Sequence, residues 1–576
     1  MPSTVDVCTL RPGNDPGGHR NRCRPGDCPD PPAGPWTGAP TGPHADPPVA
    51  LPAVPATPPL RPTHPRSQSL LHLARNLGLP PADRDVAVTG ITHSSSEVRP
   101  GDLYAALPGA RTHGAAFLPA AAAAGAVAVL TDPAGAPAAA AAGLPALVVE
   151  RPRTVLGRLA SAIYGDPSAD LLVLGITGTN GKTTTAYLLE EGLRAAGHIT
   201  GLIGTVETRV AGAAVPSART TPEATDLQAI FAVMRDAGVT AVAMEVSSHA
   251  LAQGRVDGTR FAVGAFTNLS QDHLDFHTDM ENYFQAKALL FDGRCQHEVV
   301  DIDDAYGRRL VRPDTVTVSA NGDPAAAWRA VDIVPEPGGQ RFRLLGPGGL
   351  DLPAATRLPG RFNVANGLLA LAVLNTAGID PWAAAKALER SVVPGRMEPI
   401  DAGQPFQAYV DYAHTPEAVA LLLAAVRPAT AGQVILVLGC GGDRDRTKRP
   451  VMGAAAARGA DLLVVTDDNP RSEDPAAIRA AMLAGTVEVP AADRAEVVEV
   501  GGRQAAILHA VAAARPGDTV VLAGRGHEPG QEVGGTVYPF DDRAVLRVAL
   551  AQVGSAGTGG HGGHGGRSGS GSRGGE

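Results

Sequence analysis

The sequence has few cysteines, no excess of basic residues and no long apolar run, and each shortage excludes a class of protein. Only five cysteines occur among 576 residues, and they are scattered, so they offer no disulfide framework and fit a reducing cytoplasm. The most apolar stretch, residues 115–130, is alanine-rich and interrupted by Pro119, which excludes a signal peptide or membrane span. A net charge of -9 excludes a nucleic-acid-binding surface, which needs a basic face.

The centre of the chain reads as a buried strand, a glycine-rich turn and the first turn of a helix. Residues 171–176 form a short apolar run, and Leu189, Leu193 and Ala196 recur at helical spacing beyond the turn. Glycines in the turn let backbone N–H groups approach an anion, and the helix N-terminus adds positive potential. The pattern predicts a nucleotide site made of Gly178, Thr179, Asn180, Gly181, Lys182, Thr183 and Thr184. The lysine supplies a mobile cation, and the threonine after it supplies a Mg²⁺ ligand.

Length and composition predict three α/β domains between disordered tails. Hydrophobic residues make up 44% of the chain, which is enough for several cores. We expect a Pro/Gly-rich leader at residues 1–66 and a Gly/Ser/His tail at 554–576, because neither has a periodic apolar pattern. The expected domains are a small α/β domain at 67–167, a central parallel-sheet domain like those of P-loop NTPases at 168–393, and a Rossmann-like domain at 394–553.

Two further strands of the central domain end beside side chains that suit a metal. Glu245 closes an apolar strand, and a buried carboxylate there requires a cation, for which Mg²⁺ beside the nucleotide is the first candidate. A structural salt bridge is the alternative. His273 follows the apolar strand 261–266, where a doubly wound sheet presents ligands, so we assign it as a second magnesium ligand. By residue type alone, Lys287 is expected to be a solvated helix lysine.

A short polar loop, Arg219-Thr-Thr-Pro-Glu223, precedes the Glu245 strand. Adjacent hydroxyls at Thr220 and Thr221 before a proline suit a rigid loop that donates to an acidic substrate. The same residues also suit the cap of a helix beginning near Glu223, and both interpretations can hold together.

The sequence of the last domain predicts a binding site for a small molecule that carries several charges. Its strands alternate with helices, which implies a parallel sheet whose following loops converge at one edge. Those loops place Arg444, Arg471 and Glu528 in one site. Two arginines and one glutamate match a ligand with two carboxylates and an amine, because guanidinium pairs with carboxylate in a bidentate fork. Diaminopimelate has this shape and charge.

Several ordered motifs resemble those of the Mur ligase family, which joins amino acids to carboxylates at the expense of ATP. The phosphate loop has glycine at Gly175, one residue earlier than the strict Walker pattern, as in the Mur ligase variant. The string from Glu245 to His249 matches the family's E-V-S-S-H in full. The loop at residues 94–102 resembles the family's uridine-nucleotide loop, D-S-R-x-V-x-P-G-D, although Ser94 and Ser96 replace the aspartate and arginine.

The resemblance implies specific ligand contacts. Lys287 occupies the position of a carbamylated lysine (N6-carboxylysine), which would act in catalysis and metal binding with Lys182, Glu245, His273 and Thr183. Further ATP contacts map to Asn363, Asn366, Arg396 and Asp411. Contacts with the UDP-muramoyl dipeptide map to Ser95, Thr220, Thr221, Ser247, Gln253 and Arg255. Diaminopimelate contacts map to Arg444, Asp468, Asn469, Pro470, Arg471, Gly524 and Glu528.

The resemblance also implies the reaction. It implies an acid–amino-acid ligase of peptidoglycan precursor synthesis, which adds 2,6-diaminopimelate to UDP-N-acetylmuramoyl-L-alanyl-D-glutamate through an acyl phosphate, with ATP as substrate and Mg²⁺ as cofactor. A cytoplasmic monomer is expected. A lysine-adding relative or a folylpolyglutamate-type synthetase remains an alternative, and so does a protein of another class, namely a nucleotide-binding scaffold or a simple P-loop ATPase or kinase.

Overall fold

Parallel β-sheets form the centre of three successive segments of the chain, and the predicted α/β fold class is confirmed. The computed structural model describes residues 60–215, 219–336 and 338–557. The rest of the predicted leader and tail lies outside these residues. The expected leader boundary at residue 66 is too late, because Arg61 already makes a buried ion pair with Asp102 that composition does not reveal. The expected tail boundary at 554 is too early, because the last helix runs to Gly557.

The N-terminal domain is built on short apolar strands whose two faces are both covered. Its elements are β1 Gln68–Ser69, α1 Leu70–Leu77, β2 Ala87–Val88, β3 Gly90–Thr92, β4 Asp102–Ala105, α2 Leu118–Ala123, β5 Ala128–Thr131, α3 Ala136–Ala141, β6 Ala146–Val148 and α4 Arg153–Ile163. Strands β3 to β6 form a parallel sheet in chain order, and separate apolar clusters lie on its faces. The Ser69 hydroxyl caps α1, and Gly78, at φ 67°, ends it.

The central domain has the largest sheet. Its first elements are β7 Leu172–Thr177, α5 Lys182–Ala195, β8 Thr200–Ile203, β9 Thr208–Val210, β10 Ala213–Val215, α6 Ala224–Asp236, β11 Ala241–Glu245, α7 Ser248–Ala252, β12 Phe261–Phe266, α8 Leu274–His277 and α9 Met280–Ala288. They are followed by β13 Cys295–Asp301, α10 Ala305–Arg308, β14 Val316–Ser319, β15 Trp328–Glu336, β16 Gly339–Gly346, β17 Leu350–Thr356, α11 Arg361–Thr376 and α12 Pro381–Leu388.

Strand order places the glycine-rich turn at a switch point of the central sheet. The order is β10-β9-β8-β11-β7-β12-β13-β14-β15-β16-β17, and the strands from β8 to β15 are parallel. The chain leaves β7 toward β8 on one side and later returns to β12 on the other. Open α/β sheets bind ligands at such a point, outside the carboxyl ends of the strands.

The C-terminal domain has a third sheet, which is parallel except for its edge strand β18, and a small hairpin follows it. Its elements are β18 Glu398–Pro399, β19 Gln407–Val410, α13 Pro416–Val426, β20 Val434–Leu438, α14 Lys448–Gly459, β21 Leu462–Val465, α15 Pro475–Thr486, β22 Glu496–Glu499, α16 Arg503–Ala513, β23 Thr519–Leu522, β24 Gly530–Val533, β25 Thr536–Pro539 and α17 Asp542–Gly557. The sheet order is β18-β19-β23-β20-β21-β22. Within the described ranges, no helix has the length and apolarity needed to cross a membrane.

Apolar side chains join the central and C-terminal domains. A single cluster contains Leu174 of the central sheet and Leu436 of the C-terminal sheet. The two domains come so close that a Cβ added to Gly360, before α11, would lie 2.7 Å from Ala425 Cβ on α13. The cleft between these domains is therefore bounded by packed apolar surface.

A buried ion pair stabilises the loop after β23, and its loss should be costly. Arg503 donates to both carboxylate oxygens of Asp542, at 2.8 and 2.6 Å, and to the Ala523 carbonyl at 2.8 Å. We expect Arg503→Met to lower the free energy of unfolding by about 3–5 kcal/mol, because the buried Asp542 carboxylate loses both of its hydrogen bonds to Arg503 and keeps only Arg525 Nε, at 3.9 Å. Urea denaturation followed by circular dichroism measures this.

The matched control is Arg343→Met on exposed strand β16, where an ion pair to Asp332 at 2.9 Å should contribute little. An equal loss of stability in both variants would contradict the importance of the buried pair.

Candidate functional site

Hydrogen bonds from the segment after β12 hold the glycine-rich turn in place. Thr267 Oγ1 donates to the Asn180 carbonyl at 2.6 Å, and the Asn268 side-chain oxygen accepts the Asn180 N–H at 3.0 Å. Gly178 and Gly181 have φ values of 146° and 88°, which L side chains rarely adopt. The turn therefore has a fixed shape that depends on Thr267 and Asn268, two residues that no sequence pattern predicted.

Two lysines converge on one backbone carbonyl of this turn. Lys182 Nζ donates to Gly178 O at 3.0 Å and to Thr179 O at 2.9 Å, while Lys287 Nζ donates to Gly178 O at 2.7 Å. Burial lowers the pKa of Lys182, and the Glu245 carboxylate opposes this change. Burial and then the charge of Lys182 lower the pKa of Lys287 well below its ordinary value.

The position of Lys287 corrects the expectation from residue type. Its side chain is 1% exposed and lies over the Tyr283 ring, with Nζ 4.4 Å from the centroid. It is not a solvated helix lysine, because α9 turns this face toward the phosphate loop. The Tyr283 hydroxyl in turn lies 3.1 Å from Thr179 Oγ1, so α9 contacts the loop at two points.

Glu245 is buried, as predicted, but its partners are neutral. Its carboxylate accepts the Thr205 N–H at 2.8 Å and the Thr205 hydroxyl at 3.0 Å. The described side chains provide it with no ion pair, which contradicts the alternative of a structural salt bridge. Thr205 lies two residues after β8, and the rule that polar residues after parallel strands meet at one edge would have identified it.

The other two expected metal ligands of unmodified residue type, Thr183 and His273, lie at the starts of two different helices. Thr183 is buried in the first turn of α5. His273 begins α8 with φ 53°, is about half exposed, and lies 3.5 Å from Asp272 Oδ2. Within the described part of the chain, no group of three or more His, Cys, Asp or Glu side chains has the arrangement of a metal site. Any metal would therefore need ligands of other kinds, such as Thr183 or a modified lysine.

Residues from four motifs meet in a pocket between the central and C-terminal domains. The pocket holds about 100 Å³ and is lined by Asn180, Gly181, Thr184, Asn363, Arg396 and Asp411, together with Phe362, Met397, Ala413, Ala418, Leu421 and Leu422. The first six were predicted ATP contacts. The pocket thus combines polar groups near the phosphate loop with apolar side chains, which is the usual composition of a small-molecule site.

Hydrogen bonds fix the polar wall of this pocket. The Asp411 carboxylate accepts the Met397 and Ala413 N–H groups, both at 2.7 Å, and burial raises the pKa of Asp411 against the charge of Arg396. Arg396 itself lies over the Tyr412 ring at 4.5 Å.

Asn366 completes the wall behind the phosphate loop. Its side chain donates to Asn363 Oδ1 at 3.1 Å. Its own oxygen would lie 2.2 Å from a Cβ at Gly181, so α11 and the phosphate loop approach each other closely.

Most of the predicted muramoyl-dipeptide contacts cluster next to Glu245. Thr221 Oγ1 donates to the Glu245 carbonyl at 2.9 Å and accepts the Ser247 N–H at 3.0 Å. Arg255 donates to Thr221 O at 3.2 Å and to the Gln253 side chain at 2.6 Å. The Ser247 hydroxyl also caps α7.

The other two predicted contacts with the muramoyl dipeptide, Thr220 and Ser95, lie outside that cluster. Thr220 Oγ1 is 3.0 Å from Thr205 Oγ1, so it lies beside the Glu245 partner. Ser95 is half buried in the N-terminal domain, where it begins a short 3₁₀ turn. A cavity of about 470 Å³ between the N-terminal and central domains is lined by Gln253 and Arg153, among others.

The C-terminal loops bring the predicted diaminopimelate residues together. Asn469 Nδ2 donates to Glu528 at 2.6 Å, and Arg471 Nη1 donates to the Gly442 carbonyl at 2.7 Å. A Cβ at Gly441 would be 3.0 Å from Arg471 Nη1 and 3.9 Å from Arg444 Cγ, so the two arginines flank one glycine. Burial and then the charge of Asp468 raise the pKa of Glu528.

Close backbone packing sets the shape of this site. A Cβ at Gly524 would lie 2.6 Å from Asp468 Oδ2, and one at Gly442 would lie 1.9 Å from the Pro470 carbonyl. Arg525, which was not among the predicted residues, is fully buried and donates to Asn469 Oδ1 at 2.9 Å. The sequence signal that could have identified Arg525 is its position three residues before Glu528.

The fold and site define a multidomain α/β enzyme that binds a nucleotide between a phosphate-loop domain and a second parallel-sheet domain. Three family models match the chain: Mur ligase family, catalytic domain, at residues 87–164; Mur ligase middle domain at 176–374; and Mur ligase, glutamate ligase domain, at 395–526.

Relatives agree with these models over nearly the whole chain. The UDP-N-acetylmuramoyl-L-alanyl-D-glutamate–2,6-diaminopimelate ligases of Streptomyces avermitilis and Streptomyces coelicolor are each 58% identical to it, over 86% and 85% of this chain and 98% of each relative. A solved structure with the same enzyme name is 31% identical, with a TM-score of 0.62, covering 85% of this chain and 99% of that one. The chain belongs to the Mur ligase family. It is an ATP-dependent, amide-forming ligase.

A single methyl group at Gly181 should block nucleotide binding. We expect Gly181→Ala to weaken ADP binding at least about tenfold, because the new Cβ would collide with the Asn366 side chain and deform the loop. Isothermal titration calorimetry measures this affinity.

Gly197→Ala is the matched control. Gly197 has the same φ of 88°, and no atom lies within 4 Å of the position that a Cβ would take there, so the variant carries the same backbone strain without the collision. Equal affinities for ADP in both variants would contradict the role of the close approach.

Proposed function

We propose that this ligase adds 2,6-diaminopimelate to UDP-N-acetylmuramoyl-L-alanyl-D-glutamate, a step of peptidoglycan precursor synthesis. The names of its relatives and of the 31% identical structure support the proposal. The observation that carries it is the grouping of Arg471, Asn469 and Glu528 in one site. The site has cationic groups for carboxylates and a carboxylate for an ammonium, at the sheet edge where an amino acid would enter.

The proposed chemistry begins with activation of an acid. The substrate carboxylate attacks the γ-phosphorus of ATP, the bond to the ADP oxygen breaks, and an acyl phosphate forms. The amine of diaminopimelate then attacks the acyl carbon, phosphate leaves with the bonding electrons, and the ammonium loses its protons to give the amide. Lys182, which here donates to loop carbonyls, would turn to the transferred phosphoryl group and stabilise its charge.

We propose that Mg²⁺ is held by Thr183, Glu245, His273 and a carbamylated Lys287. The Glu245 carboxylate supports this assignment, because its only described partners belong to Thr205 and it keeps capacity for a cation. When bound, Mg²⁺ would neutralise charge on the phosphates. The chain itself holds the Glu245 carboxylate in place through the N–H and hydroxyl of Thr205.

The burial of Lys287 supports its modification. An amine whose pKa is lowered carries less charge at neutral pH, so its nitrogen lone pair can attack the carbon of CO₂. The N–C bond forms, and a proton is released to water. The product is an anion, and it replaces a cation that would repel both Lys182 and a metal.

A distal carboxylate explains how the site would select diaminopimelate over lysine. Arg471 has φ 52° and bonds Gly442 O and the backbone of the hairpin at Glu532, so its position is fixed before a ligand arrives. Lysine would leave this partly buried guanidinium with only the Glu532 carboxylate, whose Oε2 lies 3.7 Å from Arg471 Nε. A site built in this way can reject such an analogue by roughly 10⁴-fold.

We also propose a cytoplasmic location, because ATP and a UDP-linked substrate are nucleotides of that compartment. The expected monomeric state remains a prediction.

The direct test is a ligation assay with the UDP-linked dipeptide, ATP and Mg²⁺. Meso-diaminopimelate, LL-diaminopimelate and L-lysine are supplied in parallel, and the peptide product is detected by mass spectrometry. We expect product with a diaminopimelate isomer and not with lysine. Product with lysine alone would overturn the substrate assignment, and phosphate release without any acceptor would indicate a simple ATPase.

Arg471→Met should raise the KM for diaminopimelate about 100-fold or more, because a bidentate carboxylate partner is lost. The KM for ATP should stay the same. Arg458→Met, at an exposed position on α14, is the matched control. If Arg471→Met keeps the wild-type KM for diaminopimelate, the assignment of the pocket is wrong.

Lys287→Ala should lose activity, because no other described side chain replaces the proposed anion. Added formate or acetate should restore part of it by occupying the vacated space, and ¹³CO₂ should give a carbamate NMR signal in the wild type that this variant lacks. Lys386→Ala, on the exposed face of α12, should remain active. A fully active Lys287→Ala enzyme would exclude the carbamate.

A further inference from the structure

The chain enters its first domain through a short segment that contacts two domains. We refer to residues 60–66 as the strap. Leu60 packs against the apolar cluster of the central domain that contains Phe231. The next residue, Arg61, donates from Nη1 to both carboxylate oxygens of Asp102 on β4, at 2.8 and 2.7 Å. Two consecutive residues of the strap are therefore fixed to different domains.

The ion pair between Arg61 and Asp102 is buried, so water does not solvate either charge if its partner is removed. The Arg61 and Asp102 side chains are 5% and 3% exposed. No space remains beside them, because a Cβ at Gly90 on β3 would lie 2.3 Å from Asp102 Oδ1 and 3.0 Å from Arg61 Nη1. Removing one charge from such a pair is costly, since the other charge stays in a poorly solvated position.

Asp102 also closes the loop that carries Ser95. This loop, residues 94–101, joins β3 to β4, and the Asp102 carboxylate accepts the Arg99 N–H at 2.8 Å to form its last turn. The geometry at the C-terminal end of the loop thus depends on the same carboxylate that Arg61 holds.

The opposite end of the loop is attached to the central domain. His93 Nδ1 lies 3.1 Å from Thr225 Oγ1, in the first turn of α6. Helix α6 begins directly after the loop of Thr220 and Thr221, so the two loops are connected through it.

We propose that Arg61 is a positioning residue for the UDP-linked substrate. Together with Leu60 it sets the distance between the Ser95 loop of the N-terminal domain and the Thr220–Thr221 loop of the central domain. The uridine-nucleotide end and the acid end of one substrate would then be bound at the same time. This inference rests on the proposed function, because it assumes a substrate that spans both domains.

The test compares KM values for three substrates in the full-length enzyme. Arg61→Met should raise the KM for UDP-N-acetylmuramoyl-L-alanyl-D-glutamate about tenfold or more, because a misplaced loop loses binding that the ground state and transition state share. The KM values for ATP and diaminopimelate, and kcat, should change less than about twofold. Arg61→Lys, which keeps a donor and a charge, should recover most of the loss.

Two further variants separate positioning from folding. Arg61→Met/Asp102→Asn removes both charges and should fold, yet it should keep the raised KM for the UDP-linked substrate. His64→Ala, at an exposed position of the same strap, should behave like wild type. If Arg61→Met alone does not fold, the double variant and Arg61→Lys provide the comparison.

The outcomes distinguish this inference from the proposed function. Wild-type enzyme that does not ligate the UDP-linked dipeptide would refute the proposed function itself. Wild-type enzyme that is active, with an unchanged KM for that substrate in Arg61→Met and in the double variant, would overturn the positioning role. An equal rise in all three KM values would also overturn it, because that result indicates general loss of structure.

Discussion

The active centre depends on two ammonium groups that share the carbonyl of Gly178. Lys182 and Lys287 approach this oxygen from different helices, at 3.0 and 2.7 Å. Burial and the charge of Lys182 lower the pKa of Lys287 well below its ordinary value, because like charges repel strongly where water is scarce. The fold imposes this constraint by placing α9 against the phosphate loop, and the unusual chemistry proposed for Lys287 follows from it.

Loops at the carboxyl edges of the sheets carry many of the candidate ligand-binding residues. Polar residues stand at or just beyond the carboxyl ends of several strands in the central and C-terminal sheets. Thr205 lies two residues after β8, and Glu245 is the last residue of the neighbouring strand β11, while Asp411 and Asn469 follow strands of the C-terminal sheet. Separate domains can in this way present an acid, a nucleotide and an amine to one another, which a single sheet edge would not accommodate.

Sequence patterns were sufficient where a residue type and its neighbours determine the role. The strand 261–266 has the predicted bounds, and Asn180, Asn363 and Asp411, which were all predicted as ATP contacts, line one pocket. Patterns failed where tertiary contacts decide. Lys287 has the composition of a surface helix, but its environment comes from a loop more than one hundred residues away. Thr205, Thr267 and Arg61 act through single hydrogen bonds or ion pairs, which leave no periodic signature in a chain.

The apolar contact between Gly360 and Ala425 affects how the cleft can open. Separating the central and C-terminal domains there would expose the hydrocarbon surface of both α11 and α13 to solvent. Hydration of that surface costs about 25 cal/mol per Å², a penalty that acts whether or not nucleotide is present. Water itself therefore favours the shut arrangement, and substrates gain access against a restoring force that weakens on cooling.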